Sequence, residues 1–278
     1  MVFSFKGHSG FKISLISDHT VRKASTTKDG SARLAKQAEK QKNFINTIDF
    51  ITPKVLSDGY ENEFYYFDME LMNFTDFITY FQTSNKNKID YVAKKIISFI
   101  ESNIITSSFN PVDISLINWK LEEIKKTVVE PDYDAINKIL KKEEIIIPAG
   151  ASHGDFTFSN ILFDAENREI CLIDFLDDYI ETPLNDIVKI RQDTKFKWSL
   201  LLYNKNFDLV KMNTILRYID NKIHTHFSQY EFYKKFYPLF ELVNLLRVVR
   251  YATDPTIKEF LLTHIKNCID EINCSGRR

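Results

Sequence analysis

Along the first seventy residues, apolar and polar positions alternate with a period of two. Residues 2–6 (VFSFK), 11–17 (FKISLIS) and 20–25 (TVRKAS) read as three strands, with Phe11, Ile13 and Leu15 on one face and Lys12 and Ser14 on the other. The turn Gly7-His8-Ser9-Gly10 joins the first two strands, and Asp18-His19 joins the second and third. Residues 31–50 switch to a helical period, with Leu34, Ala38, Ile45 and Ile48 on the apolar face. Residues 55–56 and 64–69 then predict two more strands around an Asp58-Gly59 turn, completing a five-stranded sheet.

From Thr75 the period becomes 3.6. Helices are predicted over 76–81, 89–102, 114–127 and 133–142, the last two preceded by Pro111 and Pro131, with Leu116 and Trp119 packing as core. A short buried strand is expected at 145–147. Two more apolar runs, 161–163 and 170–173, flank the turn Asp164-Ala165-Glu166-Asn167 and predict a β-hairpin. Residues 196–265 carry many aromatics, from Phe196 and Trp198 to Phe240 and Tyr251, whose helical spacing places most of them in a core. Asp254-Pro255 opens a last helix ending near Ile272, and residues 275–278 read as a frayed end. The fold class implied is α+β: a small N-terminal antiparallel sheet with one helix, then a larger, mainly helical part.

The hairpin carries the chemistry. An antiparallel hairpin returns the chain to its starting point, so Asn160, just before its first strand, should lie beside Asp174, just after its second. Asp155 lies five residues upstream of Asn160. One carboxylate (Asp155), one carboxamide oxygen (Asn160) and a second carboxylate at a strand end (Asp174) suit Mg²⁺, which takes hard oxygen ligands and keeps several waters when it carries nucleotide phosphates.

The residues HGDFTFSN (153–160), followed after the hairpin by IDF (173–175), resemble the catalytic and metal loops of the aminoglycoside phosphotransferase and choline kinase family, small-molecule relatives of the protein kinases. Leu176 stands where protein kinases have glycine. The resemblance implies a two-lobed protein-kinase-like fold, with a nucleotide-binding lobe over 1–71 and a catalytic and acceptor-binding lobe over 72–278. It implies ATP and Mg²⁺ as cofactors, Asp155 as the catalytic base, and Asn160 and Asp174 as metal ligands. Gly7, Ser9 and Gly10 would cover the phosphates. Lys23, steadied by Glu39 of the following helix, would hold them, with Arg22 its rival on the opposite strand face. Glu70 and Met72 fall at the hinge that takes the adenine. His153 would brace the loop, Gly154 would relieve crowding beside Asp155, and Asp186 would cap or orient the next helix. Asp177, Asp178 and Glu181 would face a cationic acceptor.

Composition narrows the partners. The 37 basic and 38 acidic residues nearly cancel, which gives no case for nucleic acid or a membrane surface. Cys171, Cys268 and Cys274 form no even framework and no metal spacing. The N-terminus lacks a signal-peptide pattern, so a cytoplasmic protein is expected. The partner implied is a small-molecule hydroxyl acceptor, first a sugar, amino-sugar or polyol, then choline or ethanolamine, then an aminoglycoside. A nucleotide-binding pseudokinase is the reading from another class, and the intact Asp155, Asn160 and Asp174 argue against it. Oligomeric state is left open.

Overall fold

A computed structural model describes residues 4–6, 10–47, 49–141, 144–164, 169–203 and 206–275. The predicted positions Gly7, His8, Ser9, Ile48, Lys142, Ala165, Glu166, Asn167 and the last three residues lie outside that set. Contacts divide the chain into two compact units: Met1–Tyr91 with His153–Asp177 and Ser199–Ile215, and Val92–Ser152 with Asp178–Trp198 and Leu216–Arg278.

The first unit is built on strands β1 (Ser4–Lys6), β2 (Lys12–Ser17) and β3 (Thr20–Ala24), helix α1 (Lys28–Asn43), and strands β4 (Phe50–Ile51), β5 (Val55–Glu61) and β6 (Phe64–Glu70). Five of these strands form one antiparallel sheet in the order β1-β2-β3-β6-β5, as the alternation predicts. The tight turn between β5 and β6 falls at Asn62 and Glu63, both left-handed (φ 50° and 68°), and not at Asp58-Gly59. Gly59 instead pairs with Tyr66 inside the ladder. Cross-strand pairing along seven residues outweighs the local turn preference of one Asp-Gly step.

Helix α1 begins where Thr27 caps it, its hydroxyl accepting from the Gly30 N–H at 3.0 Å. Its apolar face packs Leu34 and Ala38 against Phe11, Tyr65 and Phe67 of the sheet. It stops seven residues before the predicted end. Asn46 and Thr47 turn their side chains onto the backbone of Thr52 and Phe50 (3.0 Å each), offering a local alternative to helical bonding. Ile45 is accordingly exposed, and Phe50 and Ile51 enter a strand.

That strand matters for the site. Strands β9 (Ile161–Phe163) and β10 (Ile170–Leu172) form the predicted hairpin, and β4 adds to β10 in parallel, giving a second sheet in the order β4-β10-β9. Helix α2 (Phe77–Thr83), capped by Asp76, covers this hairpin through Phe77 on Phe158 and Tyr80 on Phe163, both stacked pairs.

The second unit is mainly helical. It takes most of α3 (Lys86–Thr106), then β7 (Ser108–Pro111), α4 (Ile114–Lys125), α5 (Tyr133–Leu140) and β8 (Ile146–Ala149). Helices α6 (Pro183–Thr194), α7 (Trp198–Leu201), α8 (Leu209–Phe227), α9 (Glu231–Val249) and α10 (Pro255–Ser275) complete the chain, most of α7 and the start of α8 belonging to the first unit. Phe232, Tyr233, Phe236, Tyr237 and Phe240 are buried as the aromatic spacing predicts, whereas Tyr251 is exposed. Leu116 and Trp119 are also exposed, contrary to expectation. The buried stripe of α4 is Ile117, Leu121 and Ile124, which puts 116 on its flank and 119 on the opposite face. His224 turns to Tyr233 and His226 to Glu101, in different directions, as a two-residue spacing on a helix requires. Among the described residues no helix is long and apolar enough to cross a membrane.

Candidate functional site

The hairpin closes as the sequence requires. Ile173 N–H donates to Asn160 O at 3.1 Å, so the residues before β9 and after β10 are neighbours. A single 3-10 turn, Phe158–Asn160, aims Asn160 back at the preceding loop. Its Nδ2 donates to Asp155 O and to Asp155 Oδ2, both at 2.9 Å. The carboxamide thus fixes the Asp155 carboxylate and points its own oxygen the other way. Asp155 is half-buried and Asn160 is buried.

Asp174 lies in the left-handed region (φ 61°), where an L-residue costs on the order of 1 kcal/mol and Asp and Asn are the best tolerated side chains. This conformation turns its carboxylate out of the strand line and onto Lys23, whose Nζ lies 2.7 Å from Oδ1. Lys23 is fully buried, its ammonium also donating to Gln37 Oε1 at 3.0 Å and lying 5.2 Å from the Phe11 ring. The neighbouring Arg22 points to the other face of the sheet, where Asp68 (2.7 Å) and Glu61 (2.9 Å) hold it. Of the two cations, Lys23 is the one brought to the hairpin.

Glu39, the expected partner of Lys23, is exposed on α1, and Gln37 takes that place. Residues 36, 37 and 40 share a helix face, while 39 is turned away. The same face sends Lys40 Nζ to Leu176 O at 2.7 Å and Lys36 to Asp177 at 3.0 Å. Gln37 and Lys40 were not singled out in the sequence. The signal that finds them is the phase set by the buried Leu34, Ala38 and Gln41.

His153 is buried, with Nε2 donating to Ile173 O at 3.0 Å and Nδ1 accepting the Asp155 N–H at 3.3 Å. Both contacts are those of a neutral imidazole protonated on Nε2. Burial drives its pKa from 6.5 down to about 4, against a smaller upward pull from Asp155. The ring also packs on Phe175 at 4.4 Å, so it braces both the Asp155 loop and the residue after Asp174. Gly154 sits at φ 85° with its missing Cβ position 2.0 Å from Leu176 O, and no side chain fits there.

A pH dependence follows. The folded pKa of His153 is depressed, so the unfolded chain binds the extra proton between pH 6.5 and about 4. The neutral ring contributes its full stability above pH 6.5, and about 3 kcal/mol is lost as pH falls through that window. Denaturant titrations of the wild type and of His153→Gln should therefore converge as pH is lowered, the wild type losing the larger share. Parallel curves would contradict a neutral buried imidazole.

The remaining predicted positions are less concentrated. Gly10 is exposed with φ 79°, and Gly7 and Ser9 lie outside the described residues. Glu70 closes β6, its carboxylate accepting from Lys54 N at 3.0 Å, and the next N–H, of Leu71, goes to His19 O at 2.9 Å. Met72 is half-buried just beyond. Asp177 is exposed and paired with Lys36. In the second unit, Asp178 is buried against Arg247 (3.2 Å to each carboxylate oxygen) and accepts the Tyr179 N–H at 2.8 Å. Glu181 accepts from Ser152 Oγ at 2.7 Å and from Asp178 N at 3.1 Å. Asp186 is buried in the first turn of α6, which Thr182 caps.

The oxygens left at the hairpin fit Mg²⁺. Asn160 Oδ1 and Asp174 Oδ2 accept no hydrogen bond among the described residues, although both side chains are held by their other atoms. One carboxylate and one carboxamide are the sparse protein ligand set that Mg²⁺ uses beside phosphates and water.

Neither a protein-family model nor any curated protein matches the chain in sequence. Solved structures match its fold. An aminoglycoside phosphotransferase in complex with GDP and kanamycin is 12% identical, with a TM-score of 0.60 over 99% of this chain and 93% of its own. A candidate fructosamine-3-kinase from Haemophilus somnus is 15% identical, with a TM-score of 0.59 over 98% and 92%. Plasmodium vivax ethanolamine kinase is 11% identical, with a TM-score of 0.54 over 96% and 81%. The chain has the protein-kinase-like fold of the small-molecule phosphotransferases.

Proposed function

We propose that the protein is an ATP-dependent phosphotransferase that moves the γ-phosphoryl group to a hydroxyl of a small molecule. The observation that carries this reading is the ion pair of buried Lys23 with Asp174 at one end of a hairpin whose other end holds Asn160 on Asp155. In phosphoryl transfer the protein mainly aligns the reactants and neutralises charge, and these groups are of the required types. Lys23 would bind phosphate oxygens. Asn160 and Asp174 would hold Mg²⁺, which when bound neutralises phosphate charge. Asp155, its orientation set by the Asn160 amide, would align the acceptor hydroxyl and take its proton. The nucleotide would be bound mainly by residues 1–71, with Gly7, Ser9 and Gly10 over the phosphates and Glu70 and Met72 at the adenine, and the acceptor by residues from 72 onward. The nucleotide and acceptor ligands of the structural relatives make the same reading reasonable here.

For the acceptor, a sugar or polyol remains the first choice over choline, ethanolamine or an aminoglycoside. The reason is that Asp177, Asp178 and Glu181, the carboxylates a cationic acceptor would need, are already engaged by Lys36, Arg247 and Ser152.

The test is a thermal melt combined with ADP release. MgATP should raise the melting temperature more than ATP in excess EDTA does, since a ligand that binds only the native state stabilises by mass action, about 2.7 kcal/mol at a hundredfold its Kd. ADP should then appear only when a hydroxyl acceptor is added. A melt unchanged by MgATP would remove the reading.

A further inference from the structure

Three side chains on one face of α1 reach toward the stretch that carries Asp174. Lys36 pairs with Asp177 at 3.0 Å, and Lys40 Nζ donates to Leu176 O at 2.7 Å. Between them, Gln37 Oε1 accepts from the Lys23 ammonium at 3.0 Å. All of these residues belong to the first unit. The contacts on either side fix the place of Gln37, which is 3% exposed. A neutral amide thus occupies the spot from which a helix carboxylate would neutralise Lys23, while Glu39 is turned outward. Among the described residues, Asp174 is the carboxylate on which the buried ammonium rests.

Asp174 has two oxygens and two claimants. Its Oδ1 accepts from Lys23 at 2.7 Å, and Oδ2 is the oxygen that fits a metal ion. A carboxylate that carries an ammonium on one oxygen attracts a divalent cation weakly on the other, because the two positive charges repel at short range where Lys23 is shielded from water. A carboxylate at position 37 would take up part of the ammonium charge and relieve that repulsion. An amide does not. Phosphate oxygens on Lys23 would relieve it in the same way. Lys36 and Lys40 add to the positive excess, since with Lys23 they bring three ammoniums to residues 174–177, which hold the two carboxylates of Asp174 and Asp177.

We propose that Gln37 is a positioning residue whose neutrality couples the metal to the nucleotide. It holds Lys23 without discharging it, so that Asp174 binds a divalent cation weakly until phosphate oxygens engage the ammonium. The second half of this inference rests on the phosphotransferase reading, and it makes the metal ion arrive with the nucleotide and not ahead of it. The coupling is reciprocal, as any linkage between two binding equilibria must be.

The experiment titrates Mn²⁺, which takes the same oxygen ligands as Mg²⁺ and is followed by electron paramagnetic resonance, into the full chain with and without ADP. Without ADP, Gln37→Glu should bind Mn²⁺ about tenfold more tightly than the wild type, a size within the usual range of such couplings. The gain should vanish in Gln37→Glu/Asp174→Asn, because it comes from Asp174 and not from the new carboxylate acting as a ligand. ADP should tighten Mn²⁺ binding in both the wild type and Gln37→Glu, and by a smaller factor in the variant; direct contact of metal and phosphate is common to the two, so their difference isolates the share of Lys23. Equal Mn²⁺ affinity of wild type and Gln37→Glu without ADP, a gain that survives in the double variant, or an ADP effect of the same size in both proteins overturns the proposal. The rise in melting temperature with MgATP is measured on the same samples. If it is present while Gln37→Glu leaves Mn²⁺ binding unchanged, only this inference falls. If Gln37→Glu and the double variant alter Mn²⁺ binding as expected while neither ADP nor MgATP binds, the phosphotransferase reading falls, and the competition of Lys23 and metal for Asp174 stands without it.

Discussion

Asp155→Asn should lower the rate of phosphoryl transfer about 10²–10⁴-fold, the range that a positioned general base contributes, while leaving MgATP binding within about twofold. The substitution is nearly isosteric. Asn160 Nδ2 also donates to the backbone oxygen of residue 155, so the loop keeps that bond, and the His153 and Gly154 contacts are untouched. What is lost is the charge and basicity that receive the hydroxyl proton. Initial rates under saturating MgATP, with nucleotide affinity from the melting shift, separate the two effects. A variant that turns over like the wild type would show that Asp155 does not take the proton.

The second large effect should come from Asp174→Asn, and it should appear in stability as well as in activity. Asparagine tolerates the left-handed backbone as well as aspartate does, so the change isolates the charge. Lys23 is 1% exposed in its side chain, and among the described residues Asp174 is the carboxylate it contacts, because its other polar partner is the neutral Gln37. Removing one partner of a buried ion pair leaves an uncompensated cation, and about 3 kcal/mol should be lost, the low end of the usual range because Asp174 is 29% exposed. Two further variants identify the cause. Lys23→Met in the same background should recover most of the loss, as should Gln37→Glu, which returns a carboxylate to a position 3.0 Å from the ammonium. Urea midpoints equal to the wild type in Asp174→Asn alone would contradict the ion pair as described.

What the sequence made legible is the hairpin and its ends. The motif spacing and the two short apolar runs placed Asp155, Asn160 and Asp174 together, because a hairpin's geometry follows from its turn and strand lengths. The five-stranded sheet was equally readable from alternation. Three things were not. Glu39 looked like the partner of Lys23 because it is acidic and suitably spaced, but a helix turns by 100° per residue, and the phase fixed by Leu34 and Ala38 presents Gln37 instead. The β5–β6 turn was misplaced because Asn62-Glu63 is a weak signal beside Asp58-Gly59, and only the full ladder decides between them. Strand β4 was hidden inside a helical pattern, since its partner β10 lies more than a hundred residues away. Each miss concerns phase or long-range pairing, which local propensity does not encode.

The partners of Asp177, Asp178 and Glu181 were hidden for a related reason. A run of acids reads as an anionic surface, yet Arg247 is about seventy positions downstream, and its pairing with Asp178 is invisible without the packing of the second unit.

The most direct measurement follows the γ-phosphorus of ATP by ³¹P NMR, with Mg²⁺, the wild-type protein and a panel of neutral, acidic and cationic hydroxyl compounds. The account predicts that with at least one acceptor the γ signal moves into a new phosphomonoester resonance as ADP forms, and that Asp155→Asn leaves the spectrum unchanged over the same time. Nucleotide that binds but gives no phosphomonoester with any acceptor, or ATP lost only to inorganic phosphate at the same rate in both proteins, would contradict it.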